Sequence, residues 1–408
     1  MNQLFNESEQ LVYDLCRKSF LSLWSYANPL GKNSKELCDI LIVCDPDIII
    51  ISVKDIKITN SGDISTDWKR WRKRAIDASV KQVYGAERWI EGASHINRND
   101  GSIGIKLPEK GIRQIHRVAI ALGDQGKAPI SFGDFGKGFV HVFDKVSLNI
   151  IMGELDTIRD FVEYLSAKER LYLSKKKTRF HGGEEDLLAL YLHKRHQFPD
   201  KFDMLVVDDT LWAGFKESYA YKAKKEADEI SYAWDRLIEI LCKDILDGHL
   251  EFGLELNDSE IAVRAMARED RFSRRILGKS FTEFYELARQ KKVRSRISRG
   301  TSNITYVFLC MPHGEDRAYR KVELECRCLV ARGLNKNCDT VIGLATERYE
   351  EGKGFSLDLI NLNIPKWTDE LQKQIEYAQK EFGYFANPQS TLVHEDEYPQ
   401  EGDEGKKI

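Results

Sequence analysis

Residues 35–58 read KELCDILIV, then CDPD, then IIIISVKDIKI. Two runs rich in Ile, Leu and Val flank a short turn at Cys44-Asp45-Pro46-Asp47. Each run has about the length of one buried strand, so the stretch predicts a hairpin. Asp39 lies just inside the first run and Lys54 closes the second. Alternate side chains of a strand share a face, so Ser52 and Lys54 point the same way and Asp55 points the other. The hairpin thus sets a carboxylate on one strand near a lysine at the end of its partner.

Upstream, Asn6-Glu7-Ser8-Glu9 reads as a capped helix start. Leu11, Leu15, Phe20, Leu21 and Trp24 supply its buried stripe, and the helix is expected to end near Asn28-Pro29. Glu9 falls in its first turn, and residues 31–34 form the loop into the hairpin. Downstream, residues 66–91 predict a basic and aromatic helix. It carries Trp68, Lys69, Arg70, Trp71, Arg72, Lys73 and Arg74, then Lys81, Gln82, Arg88 and Trp89. Ile76, Val80 and Val83 recur at helical spacing, which predicts that one face packs on the sheet.

A helix with Glu9, a strand with Asp39, a strand with Lys54 and a helix with Gln82 follow one another in the order of the PD-(D/E)XK nuclease superfamily. Residues 1–170 resemble that superfamily. The resemblance implies a restriction-endonuclease-like domain with a mixed central sheet flanked by helices. It implies Glu9 and Asp39 as ligands of Mg²⁺ or Mn²⁺, Lys54 as the residue that places the attacking water, and Gln82 as a helper near the metal. Ser52 departs from the pattern: it stands where the family usually has a third acid, and a neutral hydroxyl is a weaker ligand for a hard cation. The site can therefore bind metal weakly, recruit a ligand from elsewhere, or be inactive. Lys69, Arg70, Arg72, Lys73, Arg74 and Lys81 suit contacts to phosphates, with a plain solvated face as the alternative.

The 408 residues carry 42% apolar and 31% charged side chains and a net charge of -3, an ordinary globular balance. Four domains or segments are expected: 1–175, nuclease-like; 182–300, mainly helical; 301–385, a small α/β domain; and 386–408, a disordered acidic tail. No run approaches the roughly 18–20 apolar residues of a membrane helix. MNQLFNESEQ has no signal-peptide pattern, and eight scattered cysteines do not form a disulfide frame, so a cytoplasmic location is expected.

Within the first part, 113–122 predicts a strand, 123–138 a Gly-rich loop without phosphate-loop spacing, 139–151 one or two strands, and 157–172 a helix. Residues 216–247 predict one long helix. The basic stretch 272–299, with Arg274, Arg275, Lys291, Lys292, Arg294, Arg296 and Arg299, is a second candidate surface for an acidic partner. Strands at 305–311, 339–346 and 355–361 and helices at 315–332 and 367–382 predict the C-terminal α/β unit. His193 and His196, one turn apart, are expected at the surface. Cys326 and Cys328 lie two apart in a predicted helix and point to nearly opposite faces, which predicts buried small residues and not a zinc site.

The function expected is a metal-dependent DNA endonuclease, with RNA not excluded and a homodimer needed to cut both strands of a duplex. Its other half would dock a protein partner or sense a signal, as in an effector of bacterial defence against foreign DNA. The alternative is a nuclease-fold protein that binds nucleic acid or scaffolds a complex without cutting. No membrane partner is expected.

Overall fold

The computed structural model describes residues 6–123, 132–174, 176–249, 256–386 and 395–401. The chain is mixed α/β and divides into two compact units, Met1–Ser218 and Tyr219–Ile408, in place of the expected boundaries near 175 and 300.

The first unit runs α1 (Glu7–Phe20), β1 (Ser25–Ala27), β2 (Ile40–Cys44), β3 (Asp47–Asp55), α2 (Ile64–Arg72), α3 (Ala78–Gly92), β4 (His95–Asn97), β5 (Ile103–Lys106) and β6 (Gln114–Leu122). It continues through β7 (Gly133–Asp134), β8 (Phe139–Phe143), α4 (Lys145–Glu154), α5 (Ile158–Leu173), β9 (Lys177–Phe180), α6 (Glu184–His193), β10 (Met204–Val207) and α7 (Leu211–Glu217). A six-stranded sheet has the order β1-β2-β3-β6-β8-β7. β2 and β3 are the expected antiparallel hairpin, and β3–β6–β8 are parallel. All five residues of β2 and Ile48 to Ile51 of β3 are buried, as strands covered on both faces require.

α3 covers one face of the sheet. It joins α2 through a π-helical turn at Lys73–Asp77, so the predicted helix over 66–91 is helical throughout, with a π turn in its middle. On the opposite face, the Phe20 ring of α1 meets the Phe161 ring of α5. Gly123, just beyond β6, has φ +89°, and a Cβ there would stand 2.5 Å from the Ile56 carbonyl oxygen. Only glycine lets the two chains approach so closely.

Four expectations are corrected here. α1 stops at Phe20, and residues 25–27 leave the helix to pair with β2, which shields that edge of the hairpin. Residues 145–154 are helical, not a strand: Asp144 and Ser147 form a capping box, and Leu148, Ile151 and Met152 bury one helical face. The stretch 216–247 is broken at Ser218, whose backbone is extended, and again by a 3₁₀ turn at Glu229–Ser231. Within the predicted helical region, residues 204–207 form β10, which pairs in parallel with β9 just before that region. Residues 124–131 of the Gly-rich loop lie outside the described residues.

The second unit contains α8 (Tyr219–Asp228), α9 (Tyr232–Leu246), α10 (Leu256–Ala267), α11 (Arg271–Arg289), β11 (Ser295–Arg299), β12 (Ile304–Met311), α12 (Arg317–Leu334), β13 (Thr340–Glu347), β14 (Leu357–Asn363) and α13 (Asp369–Phe382). Its sheet has the order β11-β12-β13-β14, with β12 and β13 parallel across the α12 crossover. Val307, Leu309, Met311, Leu324, Cys328, Ala331, Val341 and Ala345 form the core between sheet and α12. Cys310, Cys328 and Cys338 are buried and Cys326 is half-buried, all as free thiols.

Of the expected basic surface over 272–299, Lys291, Lys292, Arg294 and Arg299 are exposed, but Arg274 and Arg275 of α11 are not surface groups. Arg271 and Arg274 are buried against Asp235 of α9 at 2.9 and 2.8 Å, and Arg275 lies 3.3 Å from Asp228. Of the acidic tail, residues 387–394 and 402–408 lie outside the described residues. The stretch between them is anchored: Arg275 donates to the Asp396 carbonyl at 2.7 Å, and Lys279 pairs with Glu395. Among the described residues no helix is long and apolar enough to cross a membrane.

Candidate active site at the end of the hairpin

Asp39 directly precedes β2, and the hairpin register carries it to the level of Ser52 on β3. Its side chain is 4% exposed. Three donors hold it. The Val53 backbone N–H donates to Oδ2 at 2.5 Å, Lys54 Nζ reaches the same oxygen at 3.3 Å, and Gln82 Nε2 donates to Oδ1 at 3.1 Å. A carboxylate so held is fixed in both position and rotamer.

Gln82 comes from α3, on the face turned to the sheet. Its Oε1 accepts from Ser52 Oγ at 2.7 Å, which sets the amide so that its nitrogen meets Asp39. Ser52 is fully buried. The residue in the third acid's place therefore acts as a strut: Ser52 holds Gln82, and Gln82 holds Asp39. β6 sets Ala119 beside Ser52 and Ala121 beside Lys54. These small side chains leave room for Gln82 to reach down from α3. Lys54, 29% exposed, reaches solvent, whereas Asp39 and Ser52 are buried. Asp55 faces the other way and accepts from Ser8 Oγ at 2.5 Å, pinning the start of α1 to the hairpin.

Glu9 stands at the edge of this cluster. Its carboxylate accepts from the Asn6 N–H at 3.1 Å and its own N–H donates to Asn6 Oδ1 at 2.9 Å, a capping box that starts α1. The structure thus joins Asp39, Ser52, Lys54 and Gln82 and leaves Glu9 nearby in a helix-capping role.

Glu36 is the residue sequence reasoning passed over. It sits in the loop before β2, held by a bridge between Leu30 and Glu36, and its carboxyl shares a hydrogen bond with Asp39. Partial enclosure first, then that hydrogen bond and the charges of Asp39 and Glu9, push its pKa up to about 7, with Lys54 opposing. Its signal was present three residues before Asp39, in KELCD, but no strand periodicity governs a loop.

The donors gathered here are all oxygens: the carboxyls of Asp39 and Glu36, with Glu9 beyond them. Hard oxygen donors suit Mg²⁺ or Mn²⁺, and Mg²⁺ commonly binds through one or two carboxylates with waters and substrate phosphate completing its shell. A proton shared by two carboxyls also marks a place where positive charge is favoured. The residues therefore fit a divalent cation in an open, two-carboxylate manner. Among the described residues no three acidic, imidazole or thiol groups form a closed cage.

Lys69, Arg70, Arg72, Lys73, Arg74 and Lys81 are all exposed along α2, the π turn and α3. Arg72 has a weak partner in Asp77 at 4.0 Å. Trp71 is buried, stacked on Trp68 with centroids 5.0 Å apart, and its indole N–H donates to the Ile56 carbonyl at 2.7 Å. The basic rod is thus fastened to the end of β3 that carries Lys54. No family model, curated protein or solved structure matches this chain.

Proposed function

We propose that this chain is a metal-dependent nuclease of restriction-endonuclease-like fold that hydrolyses phosphodiester bonds in DNA. One observation carries the reading: Asp39, Ser52 and Lys54 of the hairpin and Gln82 of α3 meet in one hydrogen-bonded cluster at the end of the hairpin. Asp39 and Glu36 are the residues that would hold Mg²⁺ or Mn²⁺. When bound there, the cation would supply charge to polarise the scissile phosphate and to lower the pKa of a water.

The chain's own groups do the positioning. Lys54 stands at the solvent side of Asp39, where its ammonium orients a water and offsets negative charge developing on the phosphate. Gln82 and the Val53 N–H keep the Asp39 carboxylate in one orientation, so no reorganisation is needed when substrate arrives. The exposed cations from Lys69 to Arg74, with Lys81, neutralise backbone phosphates without reading sequence.

A second reading, a binder that does not cut, is favoured by the buried Ser52 in the third acid's place and by the capping role of Glu9. Plasmid and single-stranded DNA cleavage in Mg²⁺, Mn²⁺ or EDTA separates the two. Cleavage is expected with metal alone, and Asp39→Ala and Lys54→Ala are each expected to lower it at least 100-fold, the scale of one positioned acid–base or electrostatic group. Metal-independent binding with no cleavage in any condition would leave the binder.

A further inference from the structure

A cleft of about 850 Å³ lies along α3 beyond Gln82, lined by Lys32, Gly85, Arg88, Trp89, Gly92, Ala93, Ser94, His95 and Asn97. Two elements carry residues of both the cleft and the site. Along α3, Gln82, Gly85 and Trp89 fall three and four residues apart and so share one helix face. A rise of 1.5 Å per residue sets Trp89 about 10 Å from Gln82 along the axis. On the other wall, Lys32 lies in the loop that carries Glu36, and Leu30 bridges both Glu36 and Asn97. One loop therefore fixes the cleft wall and the acid beside Asp39.

The lining has a distinct chemistry. Lys32 and Arg88 are exposed, and neither has an ion-pair partner among the described residues. Among the described residues no acid lines the cleft. Trp89 is half-buried along its wall, and Ser94, His95 and Asn97 offer polar groups at the rim. The floor is formed by glycine: a Cβ at Gly85 or Gly92 would meet nothing within 4 Å. Unpaired cations beside an aromatic wall are what a polynucleotide strand needs, phosphates on the cations and a base on the ring. The volume is that of a small-ligand site, too small for a duplex, yet the cleft is open to solvent so a chain can pass through it.

We infer that this cleft binds one strand of nucleic acid, with an unpaired base stacked on Trp89 and its phosphates on Lys32 and Arg88, and leads that strand to Asp39 and Lys54. The inference rests on reading the cluster as a phosphodiester site. It adds where the substrate lies, and that the substrate is single-stranded at the point of entry.

The test is fluorescence anisotropy with labelled ten-nucleotide dT and rU strands, a 20-base-pair duplex and a mononucleotide. It uses the full chain carrying Lys54→Ala, in EDTA, over a salt series. Trp89→Ala is expected to weaken strand binding about tenfold, the loss of one stacked base. Gly85→Leu is expected to do the same by filling the floor, and since leucine is the better helix former its loss of binding is not a loss of folding. Lys32→Ala and Arg88→Ala should each reduce the salt slope by about 0.7. Comparing dT with rU identifies which nucleic acid is the source.

Strand binding indifferent to both Trp89→Ala and Gly85→Leu overturns the inference, as does equal affinity for the mononucleotide or for the duplex. The outcomes remain separable from those of the cleavage assay. Cleavage by the wild type with binding indifferent to the cleft sinks the cleft alone. Cleft-dependent binding without any cleavage sinks the catalytic reading alone.

Discussion

Ser52 and His141 illustrate two ways a buried polar residue is used in the first unit. Ser52 spends its hydroxyl on Gln82 and so orients an amide that in turn orients Asp39. His141, on β8, is 1% exposed, and its Nδ1 has no hydrogen-bond partner among the described residues. Burial, and then the positive charges of Lys168, His116 and Arg117, hold its pKa well below the usual 6.5. Above about pH 6.5 the group is neutral in both folded and unfolded chains and contributes no pH dependence. As pH falls through that value, the unfolded chain takes up a proton that the folded chain refuses, so stability is lost at up to about 1.4 kcal/mol per pH unit. Urea unfolding at pH 7.5 and 5.5 should show this loss in the wild type and a smaller one in His141→Gln. An unchanged slope in the variant would assign the pH dependence to other groups.

At the scale of elements, α5 and α6 are joined by an ion pair inside the fold. Lys168 Nζ lies 2.6 Å from Glu184 at the first turn of α6, with side chains 0% and 3% exposed. Tyr164 donates to the same carboxylate at 2.6 Å. Burial lowers the Lys168 pKa and the Glu184 charge raises it back in part. Removing one partner leaves a buried charge with less compensation, so Lys168→Met is expected to cost about 3–5 kcal/mol in equilibrium unfolding. The double variant Lys168→Met/Glu184→Gln should recover part of that. A single-variant loss under about 1 kcal/mol would mean that solvent reaches the pair. The same logic applies to α11, where Arg271, Arg274 and Arg275 hold α8 and α9 through Asp228 and Asp235 and are absent from the surface.

At the scale of the whole molecule, the six-stranded sheet, its flanking helices, the Asp39 cluster and the cleft all lie before Ser218. Residues 1–218 expressed alone should therefore melt cooperatively by circular dichroism and keep the metal-dependent cleavage expected of the full chain. A fragment that shows no cooperative transition would mean that the second unit is required for the first to fold. The second unit has its own sheet, its own core and an acidic segment held by Arg275 and Lys279, and it supplies none of the residues of the Asp39 cluster.

The sequence by itself determined the hairpin and where Asp39, Ser52 and Lys54 stand on it. Two runs of Ile, Leu and Val around Asp45-Pro46 leave little choice of structure, and strand alternation then sorts Ser52 and Lys54 from Asp55. It likewise determined β6, α5, and the strand–helix–strand of β12, α12 and β13, because each is a long run of a single period. Where two periods compete, as at 145–154, a capping box and tertiary burial chose helix over strand. Tertiary structure alone decided the rest. Whether Arg274 is a surface cation or a buried partner of Asp235 depends on what packs against α11, which no local pattern encodes. Glu36 reaches Asp39 from a loop, and Trp89 shares a cleft with Lys32 across 57 residues of chain. Such contacts arise from the closing of loops over a packed sheet, and only the folded chain contains that information.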